Sequence, residues 1–534
     1  MSGLDESSWS TEGQINEAHR TISTTFLSGV SRPISWRKTQ LHALGLMLQE
    51  KEKDLCQALE QDLHRPAFET ITAELSPLKA EILEALAHVA KWAKPEKVKT
   101  SWMWAASAPT VYKEPKGEVL VIGTWNYPLS LLLGPLLGAL SAGCTCILKP
   151  AEQAPATATL LARLLPTYLD SSAVRVIQGG TPQTQILLSL RFRHIFYTGS
   201  GKVGRIVAKA AAEKLCPVTL ELGGKSPAVV LVEGEKEMEV VARRIAWGKW
   251  VNAGQICIAP DYVLTLPHLL PLFLKHFKAA LAQFSASSQP AASSTSTSPS
   301  HLAVAPPSRI ISPAHFERIS SLLERTEGKV EIGGGKTDIG EFGKGGGEER
   351  RMEVTVVTGV AEGDALMSEE IFGPLLPVVT LPSKEEMVRL IRDKDETPLA
   401  MYVFSQKKAE VEYFRQNTSS GSFMHNDLLV QFMIPGLPFG GAGESGYGSY
   451  HGRKSFDTFT HERASASVPL WMDSVMALRY PPYTPKSLRL LLLVTGATIR
   501  RQTALGKIGL GWLIGILSVM AGAWAAARGK GYHV

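Results

Sequence analysis

The chain has 534 residues, which at roughly 150 residues per domain predicts two to four domains. Hydrophobic residues make up 44% and charged residues 20%, which excludes a disordered chain, while 47 Gly and 32 Pro exclude a collagen-like or low-complexity polymer. The 56 basic and 50 acidic residues leave a net charge of +6 without a dominant basic run, so nucleic acid is not an expected partner.

The opening MSGLDESSWSTEG is acidic and polar, unlike a secretory signal or an Arg-rich transit peptide. Leu41, Leu44, Leu48, Leu55 and Leu59 recur at helical spacing and predict an amphipathic helix over 36–60, with a second helix over 67–94. From residue 117 short apolar runs alternate with helical stretches: GEVLVIG, CTCILKP, VRVIQG, HIFYTG, PVTLELGG and PAVVLV. That alternation predicts a parallel sheet with crossover helices. A second alternating region covers 225–435, and there is no internal repeat. The Ser-rich stretch 285–300 and the Gly-rich stretch 333–347 inside it read as flexible surface insertions. Near the C-terminus Ile508–Ala527 carries no charge, and a helix of that length spans roughly 30 Å, the thickness of a bilayer core. Arg500, Arg501 and Lys507 precede it, Arg528 and Lys530 follow, and Trp512 and Trp524 suit the two interfaces, so a transmembrane helix is predicted. The shorter run Leu490–Ile499 cannot span and is expected along the interface.

The candidate chemistry starts with Gly199, Gly201 and Gly204, a G-x-G-x-x-G between a predicted strand and a predicted helix. Glycines there let backbone N–H groups at a helix start approach a pyrophosphate. Read alone, Glu221 stands where a ribose-binding acid would. The GGKS at 223–226 is no ATP loop, because Thr219 replaces the leading glycine. Five Cys (56, 144, 146, 216 and 257) lack CxxC spacing, which argues against a disulfide framework or a zinc site and for a reducing compartment. Four read as core residues. Cys257 differs, because Asn252, Gly254 and Gln255 precede it where a buried strand would be apolar; an exposed, electropositive turn there suits a nucleophilic thiolate. His425 reads as structural, and His451 is not assigned to catalysis.

TWNYP (124–128), LKPAEQAP (148–155), YTGSGKVG (197–204), LELGGKSP (220–227), GQICIAPDY (254–262), EEIFGP (369–374), PFGGAGESGYGSYHG (438–452) and SFDTFTHER (455–463) occur in this order. In order and spacing they resemble aldehyde dehydrogenases, and ICIAPDY, SGYGSYHG and RYPP (479–482) resemble the class 3 branch, which includes fatty aldehyde dehydrogenases. The resemblance covers residues 15–482 and implies Cys257 as nucleophile, Asn126 as oxyanion donor and Glu221 as general base, replacing its reading as a ribose acid. It passes the ribose role to Glu152, with Lys149 beside it. Gly199, Ser200 and Gly204 match the pyrophosphate loop, and Glu370 and Phe372 the nicotinamide side. NAD is the implied cofactor; Lys202 leaves NADP open, although Glu152 opposes a 2′-phosphate by charge. No metal is expected.

The fold expected is α/β: two Rossmann-like doubly wound parallel-sheet domains, a small β bridging and oligomerisation element near 96–114 and 463–475, and the C-terminal transmembrane helix. The NAD-binding domain is placed at 1–95 and 115–222 and the catalytic domain at 223–435. Residues 96–114 and 436–485 are the bridging segments, and 486–534 the membrane-anchor tail. The implied reaction is oxidation of a long apolar aldehyde, or of a polyene aldehyde, to its acid. A CoA-acylating relative and a catalytically silent membrane scaffold are the alternatives, opposed by the presence of Glu221 and of Cys257 with Asn126. A homodimer is implied, with its catalytic body facing the cytosol from the endoplasmic reticulum, outer mitochondrial membrane, lipid droplet or peroxisome.

Overall fold

The computed structural model describes residues 9–288, 306–336, 350–394 and 397–495. Helix α1 (Glu12–Ser28) starts at a capping box between Thr11 and Gln14 and stops at Gly29, whose φ of 79° supplies the left-handed cap. The helix expected over 36–60 is two helices, α2 (Ile34–Glu50) and α3 (Glu52–Leu63), joined at Lys51. Leu41, Leu44, Leu48, Leu55 and Leu59 all enter one core across that joint, which is why their spacing conceals it. The second expected helix is α4 (Ala67–Thr70), a π turn at Ile71–Leu75, and α5 (Ser76–Trp92). The π turn carries the fully buried Glu74, and such turns recur at functional sites.

Five of the six apolar runs form strands of the first sheet: β1 (Glu118–Ile122), β2 (Thr145–Lys149), β3 (Val174–Val176), β4 (His194–Thr198) and β5 (Val218–Glu221). They lie parallel in the order β5-β4-β1-β2-β3, with the two-residue strand Gly446–Tyr447 antiparallel on the β5 edge. The chain thus moves outward from β1 one way and returns to β4 on the other side, a topological switch point. The helix α6 (Ser130–Ala142) crosses from β1 to β2 and is buried along its whole length.

The second sheet contains β6 (Pro227–Val230), β7 (Tyr262–Thr265), β8 (Lys329–Ile332), β9 (Thr355–Thr358), β10 (Leu375–Thr380), β11 (Ala400–Phe404) and β12 (Ser422–His425). Its order is β8-β9-β10-β7-β6-β11-β12, parallel except for β8. Every residue of β6, β7, β9 and β11 is buried, as strands covered on both faces require, and apart from Thr265, Thr355 and Thr358 their sequences are accordingly apolar or aromatic. Both sheets belong to one compact unit, bounded by Glu96 and Val111–Arg463.

A third, three-stranded sheet takes Glu96–Lys97, Thr110–Pro115 and Thr460–Ser465. Its last strand begins before the expected 463–475 arm, and Leu470–Arg479 coils into short helical turns behind Pro469, whose fixed φ suits a helix start. A second compact unit comprises Lys97–Thr110 and the chain from Ala464. Within it the Ser467 N–H donates to the Ser107 carbonyl at 2.8 Å, and the last described helix is Pro485–Thr495. Among the described residues no helix is long and apolar enough to cross a membrane. The span predicted at 508–527 lies outside the described residues, as do 496–499 of the interfacial run, 289–300 of the Ser-rich insertion and 337–347 of the Gly-rich one.

Candidate active site

Strand ends position the site. The switch point sets Trp125 and Asn126, which follow β1, beside Gly199 and Ser200, which follow β4, and Glu221 ends the neighbouring β5. The second sheet contributes from its amino ends: Cys257 precedes β7, and Glu370 and Phe372 precede β10. These residues line one cavity of about 500 Å³. A second cavity of about 330 Å³, walled largely by apolar groups such as Tyr127, Trp247, Ile256 and Phe432, shares Cys257 and Leu131 with the first. The thiol therefore stands where the two cavities meet.

The loop before Cys257 is held in an unfavourable backbone path. After the helix Glu235–Trp250, Asn252, Ala253 and Gly254 take φ values of 50°, 52° and 70° in succession. Left-handed non-glycine residues persist only when their surroundings over-determine them. A Cβ at Gly254 would lie 2.4 Å from the Gly373 carbonyl oxygen, so glycine is required there. Asn252 Nδ2 donates to the carbonyls of Asn126 and Gln255, each at 3.1 Å, and Gln255 Nε2 donates to the Asn252 carbonyl at 2.9 Å. Asn126 Nδ2 gives one N–H to the Gln255 carbonyl at 3.1 Å; an amide carries two.

Beneath the loop Arg65, wholly buried, pairs through Nη1 with Glu74 Oε1 at 2.6 Å. Its Nε donates to Asn252 Oδ1 at 3.3 Å and its Nη2 to the Asn126 carbonyl. Glu74 Oε2 accepts from the N–H groups of Leu129 and Ser130, each at 2.8 Å. One ion pair thus ties the Asn126 loop to the Cys257 loop.

The charges around the thiol are carboxyls. Glu221 is buried, neither oxygen has a hydrogen-bond partner among the described residues, and burial holds its pKa well above the usual range. Glu370 is pushed up to about 8 by burial and then by Asp261. Burial raises the Cys257 thiol, and Glu370 and Glu221 raise it further. This corrects the expectation of an exposed electropositive turn: Cys257 is half-buried and faces acids. The 369–371 segment is pinned by Arg318 Nη2 to the Ile371 carbonyl at 2.7 Å and by Lys225 Nζ to the Glu369 carbonyl at 2.7 Å. Lys225 also pairs with Asp261, whose Oδ1 accepts from the Ile371 N–H at 3.0 Å. Gly223 admits Glu370 closely; a Cβ there would lie 2.1 Å from Glu370 Oε2. Phe372, at φ 49°, meets Trp125 edge-on at 5.4 Å.

Ser200 caps the helix α7 (Gly201–Ala212), its Oγ accepting from the Val203 N–H, so backbone donors at that end face the larger cavity. Gly204 serves packing: a Cβ would lie 2.7 Å from Leu222 Cδ2. Lys149 and Glu152 form an ion pair at the carboxyl end of β2 and are not among the residues lining either cavity. Cys56, Cys144, Cys146 and Cys216 are buried, as core residues should be. His425 bonds to the Ser405 carbonyl at 2.8 Å at the end of β12. Among the described residues no His, Cys, Asp and Glu group is placed to hold a metal. The sequence reading missed Arg65, Glu74, Arg318 and the Lys225–Asp261 pair. A buried ion pair between distant segments has no local periodicity; only the polar run Asn252-x-Gly254-Gln255 hinted that something had to hold it.

The aldehyde dehydrogenase family model matches residues 5–464. Aldehyde dehydrogenase family 3 member H1 of Arabidopsis thaliana is 41% identical over 478 residues, 89% of this chain and 93% of that protein. Among solved structures, the substrate-bound state of Staphylococcus aureus AldH is 34% identical with a TM-score of 0.81, covering 90% of this chain and 99% of that one. Mycobacterium tuberculosis aldehyde dehydrogenase complexed with NAD+ is 25% identical with a TM-score of 0.74, covering 86% of this chain and 90% of that one.

Proposed function

The chain belongs to the aldehyde dehydrogenase family, in its class 3 branch, and we propose that it oxidises long apolar aldehydes to their acids with NAD. The observation that carries the reading is the place of Cys257, which with Leu131 lines both cavities. The apolar cavity also includes Phe68, 77% exposed, and Met433, 43% exposed, so its apolar lining continues to the surface. A hydrocarbon chain entering there brings its aldehyde carbon to the thiol.

The larger cavity fits a dinucleotide. Gly199, Ser200 and the amino end of α7 suit the pyrophosphate; Glu370 and Phe372 suit the nicotinamide side. Glu152, just beyond β2, stands where Rossmann sheets carry a ribose-binding acid, with Lys149 holding it. Its charge favours NAD over NADP, while Lys202 on the cavity wall is a cation available to a 2′-phosphate. On this reading residues 1–95 and 115–222 bind the cofactor and 223–435 carry the catalytic loop.

Cys257 Sγ gives its proton to water and attacks the aldehyde carbon, and the carbonyl π pair moves onto oxygen as the S–C bond forms. The oxyanion that develops is met by an Asn126 N–H and the Cys257 backbone N–H. When bound, the nicotinamide supplies the acceptor for the hydride leaving that adduct. The acyl group then remains on Sγ as a thioester. Glu221 takes a proton from the water that attacks the thioester, the S–C bond breaks, and the acid departs. The uncharged run 508–527 supports a tail anchor that keeps the enzyme at the membrane where such aldehydes partition, at roughly 0.8 kcal/mol per methylene. The strands at 110–115 and 460–465 are the proposed homodimer edge.

The test is a substrate panel on detergent-solubilised enzyme, following NADH with hexanal, hexadecanal and a polyene aldehyde. Cys257→Ala should abolish oxidation while leaving NAD binding intact, and Glu221→Gln should give an NADH burst and then stall by roughly 10²-fold or more. A preference for hexanal over hexadecanal would overturn the long-chain assignment, and a faster polyene aldehyde would replace it.

A further inference from the structure

A buried base needs somewhere to send its proton. Glu221 receives one at each deacylation, yet burial favours its protonated form and neither oxygen has a hydrogen-bond partner among the described residues. Its other face opens on the larger cavity, which cofactor and substrate fill during the reaction. Outside the linings of both cavities stands Tyr450, fully buried, its hydroxyl within electrostatic reach of Glu221, Glu81 and Cys257. The next residue, His451, is 2% exposed and adopts a φ of 82°. Its ring centroid is 4.5 Å from that of Tyr450, and its Nε2 is 3.5 Å from Glu81 Oε1. Glu84 follows Glu81 one helical turn along α5 and reaches partial exposure; a Cβ on Gly452 would lie 2.9 Å from Glu84 Oε1, so this carboxylate abuts the residue after His451. Phe432 and Phe439 pack on the His451 ring at 4.6 and 5.6 Å and wall the cluster with apolar surface.

The cluster shares one anomaly. Tyr450 Oη, His451 Nδ1, Glu81 Oε2 and Glu84 Oε2 are all buried with no hydrogen-bond partner among the described residues. Folded proteins leave few such atoms unpaired, and a contiguous series of them is the signature of ordered internal water. Resting on the assignment of Glu221 as base, we propose that Tyr450, His451, Glu81 and Glu84, joined by internal water, carry protons between Glu221 and solvent. In deacylation the water oxygen bonds to the thioester carbon, the C–S bond breaks, and one water proton passes to Glu221. That proton moves to a water at Tyr450 as the Tyr450 hydroxyl hands its own proton on toward His451 and Glu81. Glu84 delivers a proton to solvent, so the relay groups end unchanged and one proton leaves per turnover. Burial lowers the His451 imidazole to about 3, and burial with Glu84 nearby raises Glu81 to about 8. Neutral imidazole, carboxylic acid and phenol each offer a donor and an acceptor, which a hopping proton requires.

Tyr450→Phe removes the hydroxyl and retains the ring that packs edge-on to Phe196 at 5.2 Å, and Glu81→Gln keeps the shape of its carboxyl. In stopped-flow NADH assays both should keep the rate and amplitude of the burst, while turnover after it falls by roughly 10²-fold, the low end for a proton-transfer contribution. Hydroxylamine, which attacks a thioester without a base, should restore turnover in both. A merely structural role would diminish the burst itself and resist hydroxylamine, and either result overturns the relay, as does wild-type steady turnover in both variants. Glu221→Gln in the same assay separates the two assignments: a stall there with normal Tyr450→Phe removes the relay alone, and normal turnover in Glu221→Gln removes the base and the relay together.

Discussion

Replacing Arg65 with Met tests whether one buried ion pair aligns Cys257 and Asn126, the proposed nucleophile and oxyanion donor. The Arg65 and Glu74 side chains are both 0% exposed and meet at 2.6 Å. Deleting one partner of such a pair costs about 3–5 kcal/mol, chiefly because the other charge stays buried and unpaired. Glu74 Oε2 retains the Leu129 and Ser130 N–H groups at 2.8 Å, which places the expected loss near about 3 kcal/mol at the lower end of that range. The catalytic effect is separate. The Asn126 carbonyl would keep only Asn252 Nδ2, at 3.1 Å, and a shift of the loop by about 1 Å costs on the order of 10²-fold in rate. Urea midpoints at unchanged slope measure the first effect and the NADH burst rate measures the second. Arg65→Lys should fall between, since an ammonium cannot span three acceptors as the guanidinium fork does. Adding Glu74→Gln to Arg65→Met should recover part of the stability, because the stranded charge is gone, but none of the burst rate. A loss below about 1 kcal/mol in Arg65→Met together with a normal burst would refute the alignment argument.

The loop and its charges lead to three further outcomes. Gly254→Ala should slow the burst by roughly 10²-fold while NAD binding persists, because its Cβ would meet the Gly373 carbonyl at 2.4 Å and the loop must move; normal burst kinetics would show that the loop tolerates another path. Alkylation of Cys257 by iodoacetamide should be slow at neutral pH and keep rising through alkaline pH, since burial and then Glu370 and Glu221 raise the thiol. Glu370→Gln should speed alkylation above pH 8, where Glu370, pushed up to about 8, is ionised in the parent, and change it little below; equal acceleration at all pH values would separate the thiol from that carboxyl.

The parts of this molecule that are legible in its sequence are those written locally. Strands buried on both faces must be largely apolar, so all six early runs are found as strands, and the parallel order follows from the helices between them. Helix joints leave less trace, as at Lys51, where the core-facing leucines continue across the break. In the site, Cys257, Glu221, Asn126, Glu370 and Phe372 stand out because each sits in a short motif resembling those of aldehyde dehydrogenases, and carboxyl ends of the first sheet with amino ends of the second bring them to one cavity. The thiol's setting was not legible. It depends on Glu221 and Glu370, which lie 36 residues before and 113 after Cys257 and approach it only through the packing of two sheets. The same holds for Arg65 and Tyr450, whose positions look like ordinary core until the guanidinium is followed to its partners and the phenol hydroxyl is seen to lack one among the described residues. What decides reactivity here is which charges share a dry volume. An amino-acid pattern records that only indirectly, as a polar residue tolerated where burial should have excluded it.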